Sequence, residues 1–148
     1  MSMMTEAQAR AILEKVVKMS VADECTASLD GSTNGNIRFA RNDVSTSGIV
    51  DDVELGVSVA FGKRSGAATI NQFDDESLER CVRRAEELAR LAPENPEFMP
   101  AIDKQAYKPS DTFSASTAAI TPELRAKVAA ESIAASKAQS LVAAGFLE

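Results

Sequence analysis

The stretch VELGVSVAFGKRSGAATIN, residues Val53–Asn71, decides the fold. Val53, Leu55, Val57, Val59 and Phe61 take every odd position, with Glu54, Gly56, Ser58 and Ala60 between them, the period of two that gives a strand one apolar face. Such a face has to be covered, so helices are expected over it. Gly62, Lys63, Arg64, Ser65 and Gly66 form a polar link with a glycine at each end, where positive φ costs least, and a second β-like run spans Ala67–Asn71. The pattern predicts a hairpin at the centre of a sheet.

Upstream, Thr5 with Gln8 three residues on matches a capping box, and Ile12, Leu13, Val16 and Val17 make one apolar stripe opposite Glu14, Lys15 and Lys18. A helix from about Thr5 to Ser20 is expected. A first strand follows over Asp23–Leu29 and stops at the turn signal Asp30-Gly31. From Asn36 the chain reads NIRFARNDVSTSG, in which Ile37 and Phe39 alternate with Arg38 and Ala40 as in a half-buried strand. Arg41 falls on the apolar side and so either marks the sheet edge, its stem packed and its head wet, or points into a cleft. Asn42–Gly48, rich in Ser, Thr, Asn and Asp, reads equally as a loop or as an irregular edge segment.

Downstream, Leu78, Cys81, Val82, Ala85, Leu88 and Ala89 recur at helical spacing, with Glu79, Arg83, Arg84, Glu86 and Glu87 on the expected solvated face. Asp74 and Asp75 open this helix and Pro93 closes it. PENPEFMPAIDKQAYKP, residues 93–109, holds four of the five prolines and cannot join a helix or a central strand. Phe98, Met99, Ile102 and Tyr107 make it too apolar for a free linker, so it packs as an extended arm or meets another domain. Thr121 then caps a third helix, with Pro122 at its first position, running to about Gln139, and its apolar positions apart from Leu124, Val128 and Ile133 are alanine. The final run, LVAAGFLE, turns apolar with no stop signal. It reads as a strand cut at its start, the front part of a longer protein, or as a short last strand of the same domain.

The expected class is therefore α+β: an antiparallel-rich sheet of about four strands covered by two or three helices. Residues 1–110 are expected to form the main domain, and 111–148 a helix and strand start leading onward. A chain of 148 residues can bury a core without disulfides. Its net charge of −6, from 16 basic and 22 acidic side chains, supplies no basic stripe for a phosphate backbone, so nucleic acid is not an expected ligand. The start MSMMTEAQAR has no basic region followed by a long apolar run, and no segment offers the roughly 20 apolar residues of a membrane span, so a cytoplasmic protein is expected.

The residues offer little catalytic chemistry. There is no histidine, which removes Ser/His and Cys/His pairs and the common zinc sets. Cys25 and Cys81 lie among apolar neighbours or on an apolar face and read as buried small hydrophobes. Asp51/Asp52 point to opposite faces of a strand and Asp74/Asp75 serve a helix start, so neither pair is an acid/base dyad. The GKRSG link fits no phosphate-binding fingerprint. By its own residues the chain is not an enzyme.

NIRFARNDVSTSG (Asn36–Gly48) followed by VAFGKRSGAATINQFDDESLERCVRRAEELARLAPENPEFMP (Val59–Pro100) resembles the N-terminal domain of the TldD/PmbA family, also called modulators of DNA gyrase. The likeness runs in order through the leading helix, the strand with Arg38, Phe39, Ala40, Arg41 and Asn42, the hairpin at Gly62 and Gly66, and the helix opened by Phe73, Asp74 and Asp75. ITPELRAKVAAESIAASKAQSLVAAGFLE resembles the passage into the family's second domain. It is a whole-domain pattern, not a catalytic signature.

The resemblance implies a non-catalytic domain of a zinc metallopeptidase system. In TldD-like members zinc and a His-Glu-x-x-x-His helix belong to a C-terminal domain, whose residues this chain lacks; PmbA-like members lack the metal motif and pair with a TldD-like subunit. A homo- or heterodimer enclosing extended peptides is the implied assembly, and this chain looks closer to the partner type. If the edge at Ile37–Asn42 is open, a peptide could add to the sheet there, with Arg38, Arg41 or Asn42 contacting it or a partner subunit. An independent α+β peptide- or protein-binding module is the alternative, and a complete small enzyme is disfavoured by the missing histidine.

Overall fold

A computed structural model describes residues 4–102 and 104–148; Met1–Met3 of the N-terminal reading and Asp103 of the proline-rich arm lie outside the described residues. The element order is α1 (Glu6–Met19), β1 (Glu24–Ala40), β2 (Asp43–Phe61), β3 (Arg64–Ile70), α2 (Asp75–Leu91), α3 (Ala115–Ala118), α4 (Pro122–Ala138) and β4 (Gly145–Leu147). The strands form one antiparallel α+β sheet in the order β3-β2-β1-β4. By internal contacts the chain divides into two compact units, one of residues 1–32 and 52–106, the other of 33–51 and 107–148.

The first unit contains the main core. Leu55, Val57 and Val59 are almost fully buried, as the alternation along β2 dictates, and Val16 of α1 with Leu78, Cys81, Val82, Ala85 and Ala89 of α2 completes the cluster. α1 begins on a true capping box: Thr5 accepts from the Gln8 N–H at 3.3 Å while the Gln8 side chain accepts from the Thr5 N–H at 2.9 Å. α2 begins on Asp74, whose carboxylate accepts from the Ser77 N–H at 3.0 Å. Asp75, one residue inside the helix, pairs with Lys15 of α1.

The hairpin between β2 and β3 is tighter than the sequence suggests. β3 already begins at Arg64, paired with Phe61, so only Gly62 and Lys63 make the turn. Gly62 has φ +57°, the positive value that the first central position of a type II′ turn requires, and its N–H is held by Asp23 Oδ2 at 2.8 Å. Gly66 is not a turn residue. It lies under α2, where a Cβ would come within 2.5 Å of the Ala85 carbonyl oxygen and 2.9 Å of Ala89 Cα, so the helix seats on bare backbone there.

Glu86 departs from the expected solvated face of α2. It is 1% exposed, accepting from the Val21 N–H at 2.8 Å and from the Ser20 hydroxyl at 3.1 Å, with Arg83 Nη1 at 2.7 Å. It thus satisfies backbone just past the end of α1. Burial pushes the Glu86 carboxyl up, but the bonds from Val21, Arg83 and Ser20 outweigh it and hold the group below its ordinary value. The arm after α2 is pinned by backbone rather than packed by its side chains: the Asn95 N–H reaches the Lys63 carbonyl at 2.9 Å and the Ala101 N–H reaches Glu24 Oε2 at 3.0 Å, while Met99 and Ile102 stay exposed.

In the second unit, Ile37, Ala129, Ile133 and Ala143 are buried. Asp30-Gly31 does not end a strand, because β1 runs unbroken from Glu24 to Ala40, and after the turn residue Asn42 the stretch 43–48 is strand and not loop, because β2 starts at Asp43. Pairing along the sheet supplies the backbone partners that Ser, Thr, Asn and Gly lack locally, and so overrides their turn preference. α4 turns a different stripe inward from the one its large residues indicate: Arg125, Ala129 and Ile133 are buried, whereas Leu124 and Val128 face outward. The last run of the chain closes on β1 as β4, pairing Ile37 with Leu147, Arg38 with Phe146 and Phe39 with Gly145.

Candidate functional site

Arg38, Arg41 and Asn42 gather at one corner of the second unit. Arg41 and Asn42 alone form the turn between β1 and β2, with φ of 55° and 64°. Positive φ at both central positions is the type I′ turn, whose twist matches that of the strands it joins, but the left-handed region is costly for an arginine. Asn42 tolerates it better and anchors the turn: its Oδ1 accepts from the Ala143 N–H at 2.6 Å, its Nδ2 donates to the Leu141 carbonyl at 3.1 Å, and its own N–H reaches the Ala143 carbonyl at 3.2 Å. Asn42 therefore receives residues 141–143 much as a strand neighbour would.

Arg38 stands on the exposed side of β1 with its guanidinium 5.8 Å from the centroid of Phe146, the residue paired with it on β4. The outer lane of β1 at Ile37–Phe39 is thus filled by β4, and a peptide has no open lane to add to there. What the corner presents outward is the cationic pair Arg38 and Arg41 beside a clamped asparagine. Such an arrangement can meet a carboxylate or a carbonyl by charge-assisted hydrogen bonds; it holds no nucleophile and no base for catalysis.

Sequence reasoning missed Arg125. It is 6% exposed, donates from Nη1 to the Ile120 carbonyl at 3.4 Å, and leaves Nε and Nη2 without acceptors among the described residues. Gly35 of β1 makes room for it, since a Cβ there would fall 2.5 Å from Arg125 Cζ. The spacing of Arg125, Ala129 and Ile133, each four residues apart, carried the signal, hidden by larger Leu124 and Val128 on the neighbouring stripe.

Neither thiol is poised for chemistry. Burial raises Cys25, against a hydrogen bond from Ser20 that lowers it, and burial raises Cys81. Among the described residues no group of three or more His, Cys, Asp or Glu side chains could hold a metal. Zinc, which the family resemblance implies for a C-terminal domain, does not fit the donor set of the described residues, and no catalytic step runs through it here. No helix among the described residues is long and apolar enough to cross a membrane.

Residues 26–89 match the sequence profile of the PmbA/TldA metallopeptidase domain 1. Over that span the chain is similar to the first domain of the TldD/PmbA family. The segment takes in β1, β2, β3 and nearly all of α2, the sheet and helix of the main core. No curated protein matches the sequence. Among solved structures the fold is similar to TldE from Thermococcus kodakarensis, with a TM-score of 0.73 and 13% identity over 88% of this chain. A protein described as a modulator of DNA gyrase from Bacteroides thetaiotaomicron gives 0.65 at 17% identity over 92%, and one from Thermotoga maritima 0.63 at 14% over 86%. This chain spans 29%, 30% and 28% of those three proteins, so it has the fold of under a third of each TldD/PmbA-type structure.

Proposed function

We propose that the chain serves as the non-catalytic N-terminal domain of a TldD/PmbA-type metallopeptidase or of its partner subunit, helping to enclose extended peptides for proteolysis. The match of residues 26–89 to a metallopeptidase first domain carries this reading, and the likeness to TldE over most of the chain supports it. Chemistry is left to another domain or subunit, since this chain has no histidine and no ligand cluster among its described residues. Arg38, Arg41 and Asn42 are the residues that would meet a peptide or partner subunit at the second unit's corner, and the cytoplasm is the compartment such a protein would occupy. The test adds the purified chain to a TldD-type catalytic subunit and follows association by sedimentation and zinc-dependent cleavage of an unfolded protein. Association with altered cleavage is expected; neither one occurring would sink the reading.

A stand-alone peptide- or protein-binding module is the second reading. One observation favours it: the first unit has a buried hydrophobic core of its own.

A further inference from the structure

Every described residue from 104 to 124 is exposed, and the stretch first turns inward at Arg125, which is 6% exposed. Its guanidinium lies against the bare backbone of Gly35 in β1, where a Cβ would fall 2.5 Å from Cζ and 2.6 Å from Nη2. A side chain at position 35 would evict it, so the glycine keeps that space for the cation. Nη1 makes one long bond, 3.4 Å, to the Ile120 carbonyl, while Nε and Nη2 are closed off from solvent and have no acceptor among the described residues. Those two nitrogens form a chemical unit. Nη2 is the terminal nitrogen on the same side as the Nε–H, so the two donate in parallel, the side-on fork that takes both oxygens of a carboxylate.

The acids of the second unit are engaged elsewhere. Asp43 accepts from the Val44 N–H at 2.9 Å, Thr33 bonds to Asp51, and Glu131 lies 3.9 Å from Lys127. Glu123 folds onto its own N–H and the Thr121 hydroxyl, which hold its carboxyl below the ordinary value, with the charge of Arg125 the least of the influences. The shortage is peculiar to this unit. All six arginines of the first unit have a carboxylate within 3.9 Å, whereas Arg38, Arg41 and Arg125 of the second have none among the described residues. For Arg38 and Arg41, which are exposed, water suffices. A guanidinium taken out of water is costly unless a counter-charge and hydrogen bonds replace its hydration.

We propose that Arg125 is the floor of a carboxylate-binding site between α4 and β1, its Nε and Nη2 donating to the two oxygens of a carboxylate from outside the chain. A planar carboxylate shares the plane of the fork, which suits it to a guanidinium closed on one side by the Gly35 backbone. Because both nitrogens are shut off from solvent, the anion enters by a shift of residues 119–121, the exposed link between α3 and α4, whose hold on the guanidinium is the 3.4 Å bond at Ile120. Pairing replaces an uncompensated buried charge with a bidentate bond, so carboxylate binding and the seating of α4 on β1 reinforce each other. The site is distinct from the Arg38–Arg41–Asn42 corner and goes beyond the peptidase reading.

The test follows the Arg125 Nε–H resonance of the isotope-labelled 148-residue chain, identified by its NOE to the Gly35 α-protons, as sodium acetate replaces sodium chloride at constant ionic strength. A saturable downfield shift is expected, with a Kd on the order of 1–10 mM for so small a ligand. The urea midpoint should rise over the same range. Arg125→Met, which removes the charge and keeps an apolar stem, should lose that acetate-dependent rise and be no less stable than the parent in chloride. Because the resonance is read on the unaltered chain, the result does not depend on whether the variant folds. A short peptide with a free C-terminus, titrated beside its amidated form, separates the sources: a shift with the free form alone assigns the carboxylate to a peptide end, and a shift with acetate alone to a small molecule. Three outcomes would overturn the site: an Nε–H already at its hydrogen-bonded position in chloride, no shift with any carboxylate, or an equal acetate response of the midpoint in Arg125→Met. A shift with phosphate but not acetate would overturn the carboxylate assignment in favour of a tetrahedral anion.

Discussion

Three side chains illustrate how single residues decide local structure. Arg41 holds a left-handed backbone at φ 55° for which it has no intrinsic preference. Arg41→Gly should therefore stabilise the chain by about 0.5–1 kcal/mol, the relief of the Cβ clash less the extra entropy of glycine, as read by urea unfolding. Gly66 works in the opposite sense. Gly66→Ala would drive a methyl into the Ala85–Ala89 turn of α2 and should cost about 1–3 kcal/mol, with a matching fall in the denaturation midpoint. Glu86 is the buried charge of the first unit, and its stabilisation depends on remaining ionised. Because its folded-state pKa lies below the unfolded value, the contribution is fully present above about pH 4.5 and is lost as pH falls through the lower folded value. Glu86→Gln should remove that part of the acid-side slope of stability between pH 5 and 3, and Glu86→Ala should cost about 2–3 kcal/mol by orphaning the Val21 N–H. An unchanged acid slope in the glutamine variant would show that Glu86 does not set it.

At the scale of elements, α2 and α4 have equal lengths and unlike anchoring. α2 places Leu78, Cys81, Val82, Ala85 and Ala89 on one buried face, so the apolar part of its 3.6-residue pattern was readable, whereas the burial of Glu86 was not. α4 buries only Arg125, Ala129 and Ile133, and its alanine-rich surface offers no dominant stripe from which to choose a face. Leu78→Ala should accordingly cost about 2–5 kcal/mol, while Leu124→Ala, at a position 47% exposed, should change stability by less than about 0.5 kcal/mol. The strands show a similar contrast. The apolar alternation of β2 from Leu55 to Val59 was legible because one face is buried; the polar part of β2 and the middle of β1 were not, because their pairing satisfies backbone groups without burying an alternating set of side chains. The candidate corner was legible only as residue types. That Asn42 would clamp Ala143, a hundred residues on, depends on a contact no local pattern encodes.

For the molecule as a whole, charge and chemistry set the outer limits. With a net charge of −6, the chain should bind duplex DNA more weakly than about 100 µM at 0.15 M salt in an anisotropy titration; tight, salt-sensitive binding would contradict this. By itself the sequence determined the α+β class, the capped starts of α1, α2 and α4, the apolar face of β2 and the lack of a histidine-based catalytic centre, since each of these is a local property of spacing or residue type. Only the tertiary structure decided that β1 and β2 run on through their turn-like stretches, that Glu86 and Arg125 are buried, that Gly66 is a seat for a helix, and that β4 fills the β1 edge. Those outcomes depend on which distant backbone and side-chain groups arrive to satisfy a donor, displace water or exclude a methyl, and such long-range pairing leaves no period in the chain.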